Sequence, residues 1–421
     1  LSAMGSTNVQ YLVPDRFKHG YGLSPDVTAL ALDLTPDVIV TVDNGISSIE
    51  GVALARASGV DVIITDHHLP GNTIPDATVI VNPNLPDDNF PSKSLAGVGV
   101  MFYVLAALRA ELRKRDWFNE KNINEPNLAS FLDLVALGTV ADVVPLDFNN
   151  RILVANGLDR IRAGRCIAAI RALFRVANRS HEKITASDLG FAIGPRLNAA
   201  GRLTDMSLGI DCLINNDDDE AFEIAKQLDA LNKERREIQG EMHSQALIEI
   251  NRIELSDTEK LSHGLCLSND QWHSGVIGIL ASKIKDKLHR PVIAFAHDED
   301  GMLRGSARSV SGIHIRDVID RIATLSPGLI ITFGGHAMAA GLTLRAADLD
   351  QFSQKFDQEI QKHTEIYGLN SEILSDGELS AQDMTLEMAE LIRGSGPWGQ
   401  GFPEPAFDGI FEITEKRIVG D

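Results

Sequence analysis

The sequence is poor in cysteine, in aromatic residues and in positive charge, and these shortages narrow the possible functions. Its three cysteines, Cys166, Cys212 and Cys266, form no C-x-x-C pair, which argues against a zinc site or a disulfide framework. No stretch approaches the ~20 apolar residues of a membrane span. No basic segment followed by an apolar core marks the N-terminus as a secretion signal. We therefore expect a cytoplasmic protein without membrane segments.

The acidic charge is distributed unevenly along the chain. The 421 residues carry a net charge of −20, whereas a nucleic-acid enzyme normally presents a basic surface. Between Arg151 and Arg179, however, further arginines stand against a single acid, Asp159. A local basic groove is therefore compatible with an acidic chain, although arginines on an amphipathic helix can equally face only water.

Two short β-branched runs end in polar residues. Residues 38–42 are followed by Asp43 and Asn44, and residues 62–65 are followed by Asp66, His67 and His68. The runs are typical of parallel strands buried on both faces. Because open α/β sheets bind ligands at the carboxyl ends of their strands, we expect these polar residues to share one site.

The residue types at these strand ends favour a divalent metal. Carboxylates with imidazoles suit Mn²⁺ or Mg²⁺ better than a thiophilic ion. A third acid, Asp142, interrupts the apolar segment 138–145, where its burial would be costly without a cation. A lone acid after a strand is more often a helix cap, but capping needs one side chain and does not explain two adjacent histidines.

The sequence resembles the RecJ-type exonucleases of the DHH phosphoesterase superfamily. The resemblance extends over almost the whole chain, and the motifs that carry it are residues 16–23, 41–47, 66–68, 89–97, 138–145, 194–202 and 333–341. It implies that a further metal-binding motif belongs before Leu1, and that only the opening strands of an oligonucleotide-binding β-barrel are present at the C-terminal end. Members of this family digest single-stranded DNA in the 5′→3′ direction.

The resemblance also implies roles for the strand-end residues. Asp43, His67 and Asp142 are expected to coordinate two catalytic ions, Mn²⁺ or Mg²⁺. His68 and Asp66 are expected to orient these ligands or to assist proton transfer, and Asn44 to support the ligands without binding metal. Two such ions can activate a water and neutralise charge on the scissile phosphate.

A second group of residues is expected to bind DNA phosphates. Arginine suits phosphate because its guanidinium donates two parallel hydrogen bonds. Glycines at a strand-to-helix turn would let backbone amides approach an anion. Without the resemblance, the arginines can equally form ion pairs and the glycines can serve close packing. The residues predicted to bind phosphate are Arg16, Arg196, Asn198, Arg202, Ser306, Arg308, Gly335 and His336.

The hydrophobic patterns predict an α/β fold with two lobes joined by a long helix. We expect a DHH domain over residues 1–217, the connecting helix over 218–253, a DHHA1 domain over 254–370 and the start of the β-barrel domain over 371–421. Candidate strands of the second lobe lie at 291–296 and 329–333, and residues 407–413 alternate as a strand does.

The sequence analysis therefore predicts a metal-dependent exonuclease for single-stranded DNA, acting in DNA repair and recombination. DNA would lie in a groove between the lobes that admits one strand and excludes a duplex. We expect a monomer, with single-strand-binding protein and a RecQ-type helicase as partners implied by the resemblance. Two alternatives stay open: a related phosphodiesterase acting on short oligonucleotides, cyclic dinucleotides or pyrophosphate, and a non-catalytic DNA-binding scaffold.

Overall fold

The structure is a computed structural model that describes residues 1–14, 19, 22–256, 262–298, 301–367 and 374–417. The chain divides into two units. The first comprises Leu1–Asp229 and Leu374–Asp421, and the second comprises Ala230–Ile373. The α/β class that the sequence predicts is confirmed in both units.

The first unit contains a three-stranded parallel sheet. Its strands are β1 (Val38–Val42), β2 (Asp61–Thr65) and β3 (Val79–Val81), which lie in that order. The register pairs Val42 with Thr65. The residues that follow β1 and β2 therefore leave the sheet at the same edge, as the sequence predicts.

The prediction that both strands are buried on both faces is wrong for β1. Val38, Val40 and Val42 are 45%, 42% and 53% exposed. The opposite face, with Val62 and Ile64 of β2, packs against α1 and α2 in the core of this unit. The β-branched content of β1 was therefore not sufficient to predict its burial.

Helices form most of the remaining first unit. A 3₁₀ turn, Leu128–Phe131, leads directly into the α-helix that begins at Leu132. In chain order the helices are α1 (Pro25–Leu32), α2 (Ile49–Ala57), α3 (Gly97–Lys114), α4 (Trp117–Glu120), α5 (Leu132–Ala141), α6 (Phe148–Arg162), α7 (Ala168–Val176), α8 (Ala186–Asp188), α9 (Gly194–Leu203) and α10 (Ser207–Ile214).

One long helix, α11 (Asp218–Ser256), begins in the first unit and continues into the second. Its N-terminus is capped by Asp217, whose carboxylate accepts hydrogen bonds from the backbone of Asp219 and Glu220. The prediction of a single uninterrupted helix is confirmed. A Cβ added at Gly240 would meet nothing within 4 Å, so no close packing requires a glycine at this position of the helix.

The second unit is built on a mixed five-stranded sheet. The strands β4 (Leu265–Asn269), β5 (Val292–His297), β6 (Met302–Arg308), β7 (Thr332–Gly335) and β8 (Ala339–Arg345) lie in the order β4-β5-β6-β8-β7. Three helices accompany them: α12 (Ile277–Leu288), α13 (Ile315–Leu325) and α14 (Leu349–Tyr367). The core contains fully buried aromatic rings, among them Phe295, Phe352 and Phe356.

The predicted strand-to-helix turn at residues 334–341 is wrong. Gly335 ends β7, and the chain turns back into β8, which pairs antiparallel with both β7 and β6. The turn is closed by the backbone N–H of His336, which donates to the carbonyl of Ala339. Small residues here serve a tight hairpin in which alternate β8 residues are buried. The strand expected from residue 329 begins at Thr332.

The C-terminal segment of the first unit contains α15 (Leu386–Gly394) and extended loops. The alternating residues 407–413 form no strand, and Ile410 and Ile413 are exposed. An isolated bridge joins Asp408 to Glu378. Since strands need partners to satisfy their backbone groups, the alternation is not sufficient to form a strand among these residues, and no closed barrel is present in the described part.

Candidate metal centre

The site begins where β1 and β2 end. The backbone N–H of Asp43 donates to the carbonyl of Thr65 at 3.0 Å, and the N–H of Asp66 donates to Val81 at 3.1 Å. These bonds extend the parallel pairing by one residue beyond each strand. They bring Asp43, Asp66 and the two following histidines to one edge of the sheet.

Asp43 occupies an unusual backbone conformation with φ of 63°. A non-glycine residue in this left-handed region is uncommon, and such strain is concentrated at functional sites. The turn is completed by Gly45 at φ of 114°. Gly97, the first residue of α3, lies so close that a Cβ there would be 2.4 Å from Oδ1 of Asp43. The absent side chain at Gly97 therefore makes room for the carboxylate.

Asp66 is buried and acts as the anchor of the second strand end. Its Oδ2 accepts from the N–H of Ile46 at 2.9 Å, and its Oδ1 accepts from the N–H of His67 at 2.7 Å. The same Oδ1 lies 2.7 Å from Nδ1 of His68. With its oxygens occupied in this way, Asp66 fixes the orientation of His68 and joins the loops that follow β1 and β2.

The imidazole of His67 is the point at which the acids converge. Its Nε2 lies 3.0 Å from Oδ1 of Asp43 and 3.3 Å from Oδ2 of Asp142. Asp142 reaches this position from the C-terminal end of α5. Potential ligand atoms of Asp43, His67 and His68 all lie within 4.8 Å of one another. The structure thus brings together the residues that the sequence analysis assigned to metal binding.

The electrostatics of the cluster favour a cation. Burial alone would lower the pKa of His67, but the hydrogen bond to Asp43 and the charge of Asp142 raise it above its usual value. Burial raises the pKa of Asp142, and the nearby His67 partly offsets this effect. The pKa of His67 is therefore raised by the neighbouring carboxylates, and that of Asp142 is raised by its burial.

The Asp66–His68 pair behaves differently from this cluster. The hydrogen bond to Asp66 raises the pKa of His68 and outweighs its burial. Burial would raise the pKa of Asp66, but the bonds from His68 and from three backbone amides lower it. The pair thus favours the anionic form of Asp66 and the cationic form of His68, and the contact between them orients the imidazole.

The donor set fits a divalent cation of the Mn²⁺ or Mg²⁺ type. Asp43 and Asp142 supply hard oxygen donors and His67 a borderline nitrogen donor. His67 must lose its proton to bind metal, so a cation replaces the proton as the partner of both acids.

Two asparagines support the histidines and were missed by the sequence analysis. The side-chain amide of Asn82 donates to the carbonyl of His68 at 2.8 Å, and that of Asn84 donates to the carbonyl of His67 at 2.6 Å. Both follow β3, the third strand of the sheet. The rule that identified the other strand ends applies here too, but β3 is three residues long and gives a weak sequence signal.

The residues of the first unit that were predicted to bind phosphate differ in their burial and in their contacts. Arg196 on α9 is buried, with its guanidinium 2.8 and 2.9 Å from Oδ1 of Asp229 and a further bond to the carbonyl of Ala192. Asn198 is exposed on the same helix and Arg202 is half-buried. Arg16 lies outside the described residues. Arg196 thus has a structural ion pair, which is the alternative that the sequence left open.

In the second unit, Ser306 and Arg308 lie on β6 beside the start of α12. The guanidinium of Arg308 donates to Oγ of Ser306 at 3.0 Å and to the carbonyl of Ala307 at 2.8 Å. A Cβ on Gly278 would lie 2.7 Å from this guanidinium. Burial lowers the pKa of Arg308, and no ion pair involves it within the part of the chain that the structure describes.

The Gly335 hairpin lies next to Arg308 in this sheet. Ala339 pairs with Arg308 in the β6–β8 register, and Ala340 pairs with Gly335. The backbone of Gly335 has φ of 145°, and a Cβ would approach Ala340 to 2.4 Å. We define the Arg308 corner as Gly278, Ser306, Arg308, Gly335 and His336. It collects four of the predicted phosphate-binding residues at one end of the sheet.

The basic stretch between Arg151 and Arg179 is largely structural. Arg162 donates to the carbonyl of Ile184 and pairs with Asp159, while Arg171 pairs with Asp218 at 2.6 Å. Arg175 lies 3.9 Å from the ring centroid of Phe222. These contacts join neighbouring helices within the first unit, so this stretch is not a free basic groove.

Comparison with known families identifies the domains. The DHH family, N-terminal domain, matches residues 1–139, the DHHA1 domain matches residues 261–362, and the RecJ OB domain matches residues 375–421. The matches define a DHH-class protein with an accessory DHHA1 domain.

Curated relatives narrow the assignment. The chain is 56% identical over all its 421 residues to the single-stranded-DNA-specific exonuclease RecJ of Salmonella typhimurium, and covers 73% of that protein. It is 55% identical to RecJ of Escherichia coli over the same span, again covering 73%. The chain belongs to the RecJ family.

Solved structures agree with this assignment. The crystal structure of RecJ in complex with Mn²⁺ from Thermus thermophilus matches with a TM-score of 0.73 at 29% identity, over 91% of this chain and 53% of that one. A crystal structure of exonuclease RecJ bound to manganese matches with a TM-score of 0.66 at 30% identity, over 83% and 82% of the two chains. Among the helices that the structure describes, none has the length and apolar content required to cross a membrane.

Proposed function

We propose that this chain is a metal-dependent exonuclease that digests single-stranded DNA from the 5′ end and releases 5′-mononucleotides. The observation that carries the proposal is the convergence of Asp43 and Asp142 on Nε2 of His67 in a chain of the RecJ family. Asp43 and His67 follow the ends of β1 and β2, and Asp142 directly follows α5, so three candidate metal ligands meet at one edge of the sheet. DNA repair and recombination are the processes in which this activity is used.

Asp43, His67 and Asp142 hold the metal, with Mn²⁺ or Mg²⁺ as the ion and two ions as the expected number. When bound, the ions lower the pKa of a water and neutralise charge on the phosphate that is cut. Asp66 holds His68 through the 2.7 Å contact to Nδ1. This contact orients the imidazole of His68, which we assign to proton transfer toward the leaving oxygen. Asn44, whose amide donates to the carbonyl of Val42, stabilises the turn that carries Asp43.

The Arg308 corner is the proposed phosphate-binding region of the second unit. Arg308 is a half-buried cation with hydroxyl and carbonyl partners, and it forms no ion pair among the described residues. Such a guanidinium is better satisfied when a phosphate approaches. Arg16, Asn198 and Arg202 remain proposed phosphate contacts of the first unit. Arg196 remains a candidate, although its guanidinium already pairs with Asp229.

The broader assignments follow from the same activity. We retain the domain boundaries 1–217, 218–253, 254–370 and 371–421 as a proposal, with α11 as the connector. We also propose that the protein is a monomer in the cytoplasm. There it would work beside single-strand-binding protein and a RecQ-type helicase.

The test is digestion of one 5′-phosphorylated oligonucleotide in three forms: as a single strand, within a blunt duplex and as the corresponding dinucleotide. The assay uses Mn²⁺, with EDTA as the control. It is run on this chain and on a form extended at both ends by the matching segments of the Salmonella typhimurium relative, which is longer than this chain. The proposal predicts mononucleotides from the single strand in Mn²⁺ alone. Faster turnover of the dinucleotide, or DNA binding without cleavage in either form, would contradict it.

A further inference from the structure

A loop near the C-terminus, residues 395–402, packs on the turn that follows Asp142. The turn joins α5 to α6 and carries Pro145 and Leu146. The backbone N–H of Leu146 donates to the carbonyl of Gln400 at 2.7 Å. This bond connects the segment that matches the RecJ OB domain to the segment that carries a metal ligand, and both belong to the first unit.

The glycines of the loop permit this close approach. A Cβ on Gly399 would lie 2.8 Å from Cδ1 of Leu146, and a Cβ on Gly401 would lie 3.2 Å from Cβ of Pro145. Gly401 also has φ of 69°, which disfavours other residues. The loop is therefore shaped to contact this turn.

Aromatic stacking secures the loop on α6. The rings of Trp398 and Phe402 stack with centroids 5.0 Å apart and an angle of 11°. The guanidinium of Arg151 on α6 lies 3.7 Å from the centroid of Phe402. Nε1 of Trp398 donates to the carbonyl of Ile392 at 2.9 Å. Phe402, at the end of the loop, thus contacts α6, the helix that begins just after the turn.

The turn needs such support because its backbone is strained. Val143, directly after Asp142, has φ of 60°, a conformation that is costly for a β-branched residue. From α6, the side chain of Asn150 donates to the carbonyls of Pro145 and Ser94 at 2.9 and 2.7 Å. The loop holds the turn from the other side through Leu146. Together the two contacts fix the direction in which Asp142 leaves α5.

We propose that the loop 395–402 positions Asp142 for metal binding, and that Phe402 is the positioning residue that secures it. The inference rests on the proposed function, because it takes Asp142 as a metal ligand. Phe402 acts only through the turn and touches no reacting group. Residues that orient metal ligands typically change metal affinity by 10- to 100-fold when they are altered; for a residue one step further away we expect about tenfold.

The experiment measures Mn²⁺ affinity by electron paramagnetic resonance of the free ion, with Mn²⁺ as the only added ligand. Phe402→Ala removes the ring and is expected to weaken Mn²⁺ binding about tenfold. Phe402→Tyr keeps the ring and should restore the affinity. Leu386→Ala is the matched control, since Leu386 lies on α15 of the same segment and is 82% exposed. Circular dichroism verifies that each variant is folded.

A second readout separates positioning from a general loss of structure. In the extended form, Phe402→Ala should lower kcat while KM for single-stranded DNA stays unchanged, and raised Mn²⁺ should restore turnover. Arg151→Gln, which removes the cation above the ring, should give a smaller effect of the same kind. It tests the contact even if Phe402→Ala does not fold.

Asp142→Asn distinguishes failure of this inference from failure of the proposed function. If Asp142→Asn weakens Mn²⁺ binding and folded Phe402→Ala and Arg151→Gln do not, the positioning role is wrong and the metal site stands. If Asp142→Asn leaves Mn²⁺ binding unchanged, Asp142 is not a ligand and both assignments fall.

Discussion

The strand-end cluster of the first unit and the Arg308 corner of the second unit are built with opposite charge. In the first, Asp43 and Asp142 meet at one imidazole nitrogen, 3.0 and 3.3 Å away. In the second, the half-buried guanidinium of Arg308 bonds to a hydroxyl and a carbonyl. Under the proposed function, the first arrangement would bind the catalytic metal and the second a DNA phosphate.

The two regions are also held together by different means. Backbone amides and a buried carboxylate fix the cluster, since Asp66 accepts bonds from Ile46, His67 and His68. Small size fixes the corner, because Gly278 leaves space for the guanidinium of Arg308. We therefore expect the cluster to tolerate little change of geometry. The corner instead depends on the absence of a side chain at Gly278.

The largest expected effect is that of Asp43→Asn on the cluster. Asparagine tolerates the left-handed backbone that Asp43 adopts, so the fold is kept while a charged metal ligand is lost. We expect Mn²⁺ affinity to fall by at least about 100-fold and cleavage to be lost with it. Binding of single-stranded DNA in EDTA should remain near that of the unaltered chain.

The control for this change is Asn44→Ala at the neighbouring position, whose amide bonds to the carbonyl of Val42. It should reduce Mn²⁺ binding far less than Asp43→Asn does. Equal losses of Mn²⁺ and DNA binding in Asp43→Asn would mean that the two regions are not separate in function.

A second prediction concerns Arg196, which the sequence places with the phosphate-binding residues and the structure pairs with Asp229 at 2.8 Å. Arg196→Met removes the guanidinium that pairs with the buried carboxylate of Asp229. The expected loss of stability is about 3–5 kcal/mol, measured by urea unfolding.

Arg171→Gln is the matched control for Arg196→Met. Arg171 makes an exposed pair with Asp218 on the same helix, and its loss should cost less than about 1 kcal/mol. If Arg196→Met unfolds like the unaltered chain but loses DNA binding, Arg196 binds phosphate and the anion-binding region extends into the first unit.

The smallest expected effect is that of Arg308→Gln on the corner. Removing one phosphate contact should weaken single-strand binding about tenfold and lower the slope of log K against log salt concentration by about 0.7. Thermal stability should stay equal or rise, because partial burial disfavours the charged guanidinium in the free protein. The measurement is fluorescence anisotropy across a salt series.

Arg304→Gln on the same strand is the comparison for Arg308→Gln. Arg304 pairs with Asp298 at 2.8 Å and is exposed. Its substitution should leave the salt slope unchanged. The corner would lose its assigned role if both variants changed the slope equally.

The cluster was more predictable from the sequence than the corner. Strands β1 and β2 are short runs flanked by clear breaks, and the parallel register places their ends together. Asp43, Asp66, His67 and His68 follow from that rule alone. Asn82 and Asn84 obey the same rule but were missed, because a three-residue strand is indistinguishable from a loop in the sequence.

The corner depends on pairing between distant segments, which local pattern does not reveal. Residues 334–341 are small and apolar, and such a segment can enter a helix or a hairpin. The outcome was decided by β6, which offers β8 a long partner. The exposed residues of β1 illustrate the same limit, because the composition of a strand does not show whether another element covers it.

Ion pairs are a third feature that the sequence did not reveal. The sequence around Arg196 and Arg171 does not show that either arginine forms an ion pair. In the structure each one pairs with an aspartate of α11. Only the packing of α7 and α9 against that helix shows which charges are already satisfied. The resemblance named Arg308 as a phosphate contact, and this role stays a prediction. That Arg308 forms no ion pair among the described residues is visible only in three dimensions.

The most direct test of the central claim is the location of bound Mn²⁺. Crystals of this chain grown with Mn²⁺ should give an anomalous difference peak, collected at the manganese absorption edge, between Asp43, His67 and Asp142. The account predicts that the peak disappears in Asp43→Asn crystals and that no peak lies at the Arg308 corner. A fully occupied peak elsewhere, with none at the strand ends, would contradict the assignment of the metal centre.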